Sequence, residues 1–302
     1  MSTITRNAYA KINLSLDVLR RRDDGYHEVR MIMQTIGIHD VLNFSTEVDD
    51  PCKLISFSIS DDSSKLSGNI IPDLGPVEKN LIYKSAKLLY DEFNIKKPVN
   101  ITLKKHIPVA AGMAGGSTDA AAVFHGLNDL FDLNMSLADM CKLGVQIGAD
   151  VPYCIMGGTA LSEGIGEILT PINRTPDACV LIAKPNINVS TKFVYENLHA
   201  DRLRAHPNVD GMIEAIENND ILSVSALMGN VLETVTVNEY PVIEKIKQTM
   251  KEGGALNALM SGSGPTVFGL FLPECIEKAK AAESRIRDLG LAEEVFVTKF
   301  IN

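Results

Sequence analysis

Residues 108–122 of this 302-residue chain read Pro-Val-Ala-Ala-Gly-Met-Ala-Gly-Gly-Ser-Thr-Asp-Ala-Ala-Ala. Residues 99–106, which come before this stretch, predict a strand, and residues 119–131 predict a helix. Small side chains let the backbone approach a ligand closely, and glycine reaches positive φ without steric conflict. The first amides of a helix have no partner within the helix, so they and the helix dipole attract anions. Residues 108–118, the glycine loop, therefore predict a phosphate-binding site.

The same glycine spacing also fits a tight strand-to-helix connection in which Ser117 or Thr118 caps the helix. Two other phosphate loops are excluded: no lysine follows the last glycine, as it does in a Walker A loop, and the GxGxxG dinucleotide pattern is not matched. If the glycine loop binds phosphate, its two hydroxyl groups add contacts, and Ser117 is then a candidate ligand for Mg²⁺.

The composition narrows the classes of partner. A formal net charge of -9 argues against non-specific nucleic-acid binding, which needs a basic surface. The five cysteines form no CxxC pair, so a disulfide framework or a zinc cluster is not expected and a reducing cytoplasm is favoured. The apolar runs are of strand length, so no membrane span is expected.

Alternation of apolar and polar residues over positions 8–18 predicts a half-buried strand whose second face is unusually polar. That second face carries Lys11, Asn13, Ser15 and Asp17. Because a charged side chain on a half-buried strand usually points to water, one interpretation of Lys11 is an ordinary solvated residue of an edge strand.

Local signals organise the rest of the chain. Residues 23–25 predict a turn, residues 61–76 predict a loop, and Ser136 with Asp139 predicts a helix capping box. Glycines at positions 157, 158, 164 and 166 interrupt the chain, and a domain boundary is expected near residues 155–165. The remaining strands are expected at residues 29–38, 41–44, 54–59, 180–183, 266–272 and 294–298. Helices are expected at residues 78–93, where Leu81, Ala86, Leu89 and Phe93 form a plausible buried stripe, and at 210–217, 221–228, 242–252 and 276–289.

Three stretches in this order resemble the signatures of the GHMP kinases, the family of galactokinase, homoserine kinase and mevalonate kinase. They are Ala10-Lys11-Ile12-Asn13-Leu14, the glycine loop, and Met260-Ser261-Gly262-Ser263-Gly264-Pro265-Thr266-Val267-Phe268. Residues 261–265, the glycine turn, fit closure over phosphates as well as a structural turn before the next strand. Ala111, Ala114 and Thr118 depart from the commonest family pattern, but all three are small.

The resemblance implies an α+β fold in two domains. These are an ATP-binding N-terminal domain at residues 1–160, similar to ribosomal protein S5 domain 2, and a ferredoxin-like C-terminal domain at residues 161–302. It implies ATP as phosphoryl donor, with Mg²⁺. The ATP-binding residues it implies are Pro108, Val109, Ala110, Ala111, Gly112, Met113, Ala114, Gly115, Gly116, Ser117 and Thr118.

Phosphoryl transfer to a hydroxyl needs positioning, charge neutralisation and a group that takes the proton. The resemblance implies that Asp150 is this general base and that Lys11 supports it. Read by itself, Asp150 also fits an N-cap for a short helix that contains Pro152.

Within the family, the chain is most similar to members that phosphorylate a cytidine-diphosphate-linked alcohol in the non-mevalonate isoprenoid route. Residues 10–14, 24–27, 148–152 and 189–191, with Tyr195, carry this likeness. It implies a small-molecule acceptor with a cytidine diphosphate group, phosphorylated on its 2-hydroxyl, and a monomer or weak homodimer. The substrate contacts it implies are Asn13, Tyr26, His27, Thr191 and Tyr195. A homoserine or mevalonate type of kinase, or a non-catalytic ligand-binding relative, remains open at this point.

Overall fold

The computed structural model describes residues 2–48, 50, 52–60, 75–172 and 174–302. The chain forms two compact units that are interleaved along the sequence. The first unit comprises Met1–Ala10, Ile38–Val109 and Ala114–Met156. The second comprises Lys11–Gly37, Ala110–Met113 and Gly157–Asn302. A division of the chain between residues 160 and 161 stays a prediction. Among the helices described, none is long and apolar enough to cross a membrane.

Strands and helices are mixed along the chain, as predicted. The strands are β1 (Thr3–Arg21), β2 (His27–Ser45), β3 (Ile55–Ile59), β4 (Val99–Lys104), β5 (Thr159–Gly164), β6 (Ile168–Pro171), β7 (Cys179–Lys184), β8 (Gly229–Asn230), β9 (Asn257–Met260), β10 (Val267–Phe271) and β11 (Glu294–Lys299). The helices are α1 (Leu81–Phe93), α2 (Gly115–Leu130), α3 (Leu137–Gly144), α4 (Val151–Met156), α5 (Thr191–Asn197), α6 (Val209–Glu217), α7 (Ile221–Ala226), α8 (Glu233–Glu239), α9 (Val242–Glu252) and α10 (Ile276–Asp288).

The first unit packs helices α1 to α4 against a small sheet. β3 pairs in parallel with β4, and β4 pairs antiparallel with the C-terminal part of β2. Phe44 of β2 and Phe124 of α2 are fully buried in one core cluster that also contains residues of α1, α3 and α4. The capping box at the start of α3 is confirmed, since Asp139 N donates to Ser136 Oγ at 3.1 Å and Ser136 N donates to Asp139 Oδ2 at 3.3 Å.

The buried face of α1 agrees with the expected one at Ala86 and Leu89 but not at Phe93. Asn80 caps the helix by accepting a hydrogen bond from Ile82 N, so the helix begins at Leu81, with only a short 3₁₀ turn at Val77–Lys79 before it. Phe93 is 37% exposed. The buried side chains are those of Ile82, Ser85, Ala86, Leu89 and Tyr90. The predicted loop at residues 61–76 lies outside the described residues except for its last two positions.

The second unit contains a four-stranded antiparallel sheet in the order β11-β7-β10-β9. Numbered within this sheet, the order is 4-1-3-2, which is that of a ferredoxin-like fold. Helix α9 packs against β9 and β10, and α10 packs against β7 and β11. The ferredoxin-like architecture expected for the C-terminal part of the chain is therefore present.

The N-terminal strands also contribute to the second unit. Here β2 pairs with β5, β5 pairs with β6, and β1 pairs in parallel with β8 at Ser15 and Leu16. Residues 10–18 of β1 are buried on both faces, so the expectation of a half-buried strand is wrong. Lys11 is only 5% exposed, and it does not lie on a solvated edge strand.

Candidate active site

The glycine loop alternates between positive and negative φ. Ala110, Gly112 and Ala114 have φ of 53°, 71° and 57°. Helix α2 begins at Gly115, four residues earlier than predicted, and Ala114 stands at its N-cap without a side-chain capping bond. The first described hydrogen bond inside the helix runs from Thr118 N to Ala114 O, at 2.9 Å.

This geometry rules out the capping alternative for the loop. Thr118 is inside the helix, and its Oγ1 donates to the carbonyl of Tyr9 at 2.6 Å. Ser117 is also inside the first turn, half-buried. Backbone that alternates between right- and left-handed conformations turns successive N–H groups toward one concave side, and a helix N-terminus adds its dipole. The local backbone therefore has the form of an anion-binding loop.

A buried ion cluster lies beneath the first turn of α2. Lys105 Nζ donates to Asp119 Oδ2 at 2.9 Å and to Asp40 Oδ2, and all three side chains are almost fully buried. Asp40 Oδ1 accepts from Ile107 N at 2.8 Å and from His106 N. The cluster thus joins the backbone that enters the glycine loop to the helix that leaves it. Sequence analysis did not identify Asp40 or Lys105, because no local pattern links them.

Burial sets the protonation of this cluster. It raises the pKa of Asp119 well above its ordinary value, with Asp40 adding to the effect and Lys105 opposing it. Burial alone would lower the pKa of Lys105, but Asp119 and Asp40 outweigh it and raise that pKa. Asp119 Oδ1 has no hydrogen-bond partner among the described residues. Asp40, in contrast, has donors on both oxygens.

The two carboxyl groups should therefore respond differently to amidation. We expect Asp40→Asn to lower the free energy of unfolding by about 3–5 kcal/mol, because it removes a buried carboxylate that accepts hydrogen bonds from Lys105 Nζ, His106 N and Ile107 N. Asp119→Asn should lower it less at acidic pH, because burial raises the pKa of Asp119 and so favours its neutral form. Because the folded-state pKa of Asp119 is raised, its contribution to stability is lost as pH rises from about 4 through that pKa. Over this range the free energy of unfolding of Asp119→Asn should therefore rise relative to that of the wild type. Urea unfolding at several pH values measures both effects, and equal losses for the two variants would contradict this assignment.

Lys11 and Asn13 lie side by side within the second unit. Lys11 Nζ donates to Asn13 Oδ1 at 2.8 Å, and Lys11 N donates to the carbonyl of Met113 in the glycine loop at 3.2 Å. Lys11 is thus a buried lysine, and the supporting role implied for it stays a prediction.

Asp150 directly precedes α4 in the first unit and is half-buried. Its carbonyl accepts a hydrogen bond from Cys154 N at 3.0 Å, so it stands where a helix N-cap is expected. This position fits both interpretations of Asp150, since a residue at a helix start also presents its carboxylate outside the helix. Its catalytic role stays a prediction.

Within the second unit, two of the implied acceptor contacts adjoin each other, and a third contacts the glycine turn. The rings of His27 and Tyr195 are 5.1 Å apart between centroids and tilted by 41°. Thr191, the first residue of α5, has its Oγ1 2.8 Å from Ser263 Oγ in the glycine turn. Desolvation, with a smaller effect of Arg21, lowers the pKa of His27 and favours the neutral ring. Tyr26 is 61% exposed just beyond the predicted turn at residues 23–25, which the structure contains.

The glycine turn contacts the glycine loop at Gly112. Ser261 Oγ donates to Gly112 O at 3.0 Å. A Cβ on Gly112 would lie 2.5 Å from the carbonyl oxygen of Ser261 and 3.0 Å from that of Gly264. Because these neighbours are backbone atoms, glycine is required at this position. The turn also leads into β10, as the structural alternative foresaw, and closure over phosphates stays a prediction.

The part of the chain that the structure describes offers a metal ion few side-chain ligands. The described residues contain no cluster of three or more His, Cys, Asp or Glu suited to one. The first turn of α2 carries two hydroxyl groups, that of Thr118, which donates its hydrogen to the Tyr9 carbonyl, and that of Ser117. Mg²⁺ commonly takes most of its ligands from phosphate and water, so this donor set fits an ion that arrives with ATP.

Comparisons with known proteins agree with this arrangement. The model of the GHMP kinase N-terminal domain matches residues 80–158, and that of the GHMP kinase C-terminal domain matches residues 212–290. A 4-diphosphocytidyl-2-C-methyl-D-erythritol kinase of Lachnoclostridium phytofermentans is 50% identical over 303 residues, covering 99% of this chain and 98% of the relative.

Solved structures show the same fold. A crystal structure of 4-(cytidine 5'-diphospho)-2C-methyl-D-erythritol kinase matches with a TM-score of 0.79 at 28% identity, covering 99% of this chain and all of the other. Homoserine kinase from Cytophaga hutchinsonii matches with a TM-score of 0.75 at 20% identity, covering 100% and 95% of the two chains. The two-domain architecture, the two matched domain models and the full-length relative together place this chain in the GHMP kinase family, whose members use ATP.

Proposed function

We propose that this protein transfers the γ-phosphate of ATP to the 2-hydroxyl of 4-diphosphocytidyl-2-C-methyl-D-erythritol. The observation that carries the proposal is the 50% identity, over 99% of the chain, to a kinase of that name. The adjoining His27 and Tyr195 rings support it, because a cytosine base offers a flat face for stacking and polar edge atoms for hydrogen bonds.

ATP binds, in this proposal, through the glycine loop. The backbone amides of residues 110–117 surround the phosphates, and Ser117 is the candidate protein ligand of Mg²⁺. Mg²⁺ supplies charge neutralisation on the transferred phosphoryl group. The full set of proposed ATP-binding residues runs from Pro108 to Thr118, with Thr118 acting through its bond to Tyr9 rather than through a free hydroxyl.

Asp150 is the proposed general base. It takes the proton of the 2-hydroxyl while that oxygen bonds to the γ-phosphorus and the bond to the ADP oxygen breaks. The products are ADP, the 2-phosphate ester and a protonated Asp150, which releases its proton to water. The Lys11 ammonium stabilises negative charge near the reacting hydroxyl. Asn13 holds that ammonium in place, because its Oδ1 accepts a hydrogen bond from Lys11 Nζ at 2.8 Å.

Tyr26, His27 and Tyr195 are proposed to hold the cytosine, and Asn13 and Thr191 to contact the rest of the acceptor. The neutral ring favoured for His27 has one donor and one acceptor nitrogen, which suits the edge of a base.

Removal of the exposed Tyr26 ring should weaken binding of the acceptor but not binding of ATP. We expect Tyr26→Ala to raise KM for the cytidylyl substrate about tenfold or more, from lost stacking, with kcat and KM for ATP unchanged. Tyr26→Phe keeps the ring and should stay within about threefold of the wild type. Steady-state kinetics with each substrate varied in turn measure this, and an equal rise in both KM values would argue against a base-stacking role.

Coupled ADP release with a panel of acceptors tests the proposal. We expect turnover with the cytidylyl substrate and none with homoserine or mevalonate. Reaction with either of the latter, with the cytidylyl substrate inert, would overturn it. We also propose a cytoplasmic location, where ATP is available. The expectation of a monomer or weak homodimer stays a prediction, which sedimentation would test.

A further inference from the structure

A buried asparagine holds the glycine turn from the side of β8. Asn230 is 7% exposed, and its Nδ2 donates to both Met260 O and Gly262 O, each at 2.8 Å. Its Oδ1 accepts from Leu232 N at 3.0 Å. These two carbonyl groups flank Ser261, so one side-chain amide fixes the backbone on both sides of that residue.

Helix α8, which follows β8, adds two further contacts to the same turn. Glu233 Oε1 accepts from Met260 N at 2.8 Å, and its Oε2 accepts from Lys247 Nζ at 2.7 Å. Thr236 Oγ1 approaches Ser263 O at 3.3 Å. The turn is therefore held by side chains at Met260, Gly262 and Ser263, in addition to the strand bond from Ser261 N to Thr266 O.

These contacts bear on the glycine loop through Ser261. Its Oγ donates to Gly112 O, and the carbonyl oxygen of Ser261 leaves no room for a Cβ on Gly112. The next residue, Met113, accepts the hydrogen bond from Lys11 N. A continuous path of hydrogen bonds thus leads from Asn230 through the glycine turn to Gly112, with the backbone of Lys11 one residue further.

We propose that Asn230 is a positioning residue for ATP binding, acting through the glycine turn on Gly112. An asparagine that served only stability would not need to bond both carbonyl groups that flank Ser261, whose hydroxyl donates to Gly112 O. The ATP-binding test below depends only on the family's use of ATP, and it does not require the acceptor named in the proposed function.

Asn230→Asp is the informative variant, because it keeps the shape and the acceptor for Leu232 N but replaces two donors by an oxygen that faces two carbonyl groups. We expect Kd for MgATP to rise about 10- to 100-fold, the effect of a small displacement of a positioned group. The matched control is Asn257→Asp, on β9, the strand that ends at Met260, since Asn257 Nδ2 also donates to a backbone carbonyl, that of Ser225, at 2.8 Å. The Kd of Asn257→Asp for MgATP should stay within about twofold of the wild-type value, even if the melting temperatures of both variants fall.

Calorimetric titration with MgATP decides the outcome. An unchanged Kd in folded Asn230→Asp, or an equal rise in Asn257→Asp, would overturn the proposal. If Asn230→Asp does not fold, Ser261→Ala tests the contact between the glycine turn and Gly112 by itself. This variant leaves every hydrogen bond of Asn230 in place, and an unchanged Kd would again overturn the proposal. With both variants folded, the double variant should show less than the product of the two single effects, whereas a full product would mean independent actions. Failure of the wild type to phosphorylate the cytidylyl substrate would refute the proposed function without altering these binding comparisons.

Discussion

Replacement of Asp150 by asparagine is expected to lower kcat by about 10²–10⁴, the usual contribution of a general base. The two side chains have nearly the same shape, but an amide does not take the proton of the acceptor hydroxyl. Because asparagine caps a helix as well as aspartate does, α4 should keep its start and the protein should keep its melting temperature. Coupled ADP release with the cytidylyl substrate measures turnover, and calorimetry should find MgATP binding nearly unchanged.

Asp220→Asn is the matched control for this prediction. Asp220 caps α7 and accepts hydrogen bonds from Leu222 N and Ser223 N, both at 3.1 Å, so it has the structural role that Asp150 would have if it were only a cap. We expect its kcat to stay near that of the wild type. A folded Asp150→Asn protein with near-wild-type turnover would refute the role of Asp150 as the base, and would leave it as a helix cap.

Features set by neighbours in the chain could be predicted from the sequence. The turn at residues 23–25 and the capping box of Ser136 and Asp139 depend on contacts over a few residues, and both are present. The strand and helix sequence of the C-terminal part was largely predicted too, because periodicity is local. The short elements β5, β6, β9, α5 and α8 were missed, since few residues in each carry a pattern.

Features set by distant contacts could not be predicted. The second face of β1 is buried because other parts of the fold cover it, and alternation along one strand does not reveal that. Helix α2 starts in Gly-Gly-Ser-Thr, which has poor helix propensity, so a prediction from propensity places the start too late. Asp40 and Lys105 are 65 positions apart, and Asn230 lies 30 positions before Met260, so neither pair leaves a local signal.

Gly112→Ala should be the most damaging single change in the glycine loop. The left-handed conformation is not the main obstacle, because Ala110 and Ala114 already adopt positive φ in the same loop. The obstacle is the new Cβ, which would lie 2.5 Å from the carbonyl oxygen of Ser261. Since backbone on both sides must move, we expect a loss of about 2–4 kcal/mol in unfolding free energy and a rise of about 100-fold or more in Kd for MgATP.

Gly158→Ala separates the contact from the backbone conformation. Gly158 has φ of +72°, against +71° for Gly112, but a Cβ there would have nothing within 4 Å. This variant should therefore lose only about 1–2 kcal/mol, the cost of a left-handed alanine, and should bind MgATP as the wild type does. Urea unfolding and calorimetry on both variants measure the difference. Equal effects of the two variants would assign the requirement for glycine to φ alone. The expected larger effect of Gly112→Ala assigns it to the close approach of the glycine turn, which is the contact through which Asn230 is proposed to act.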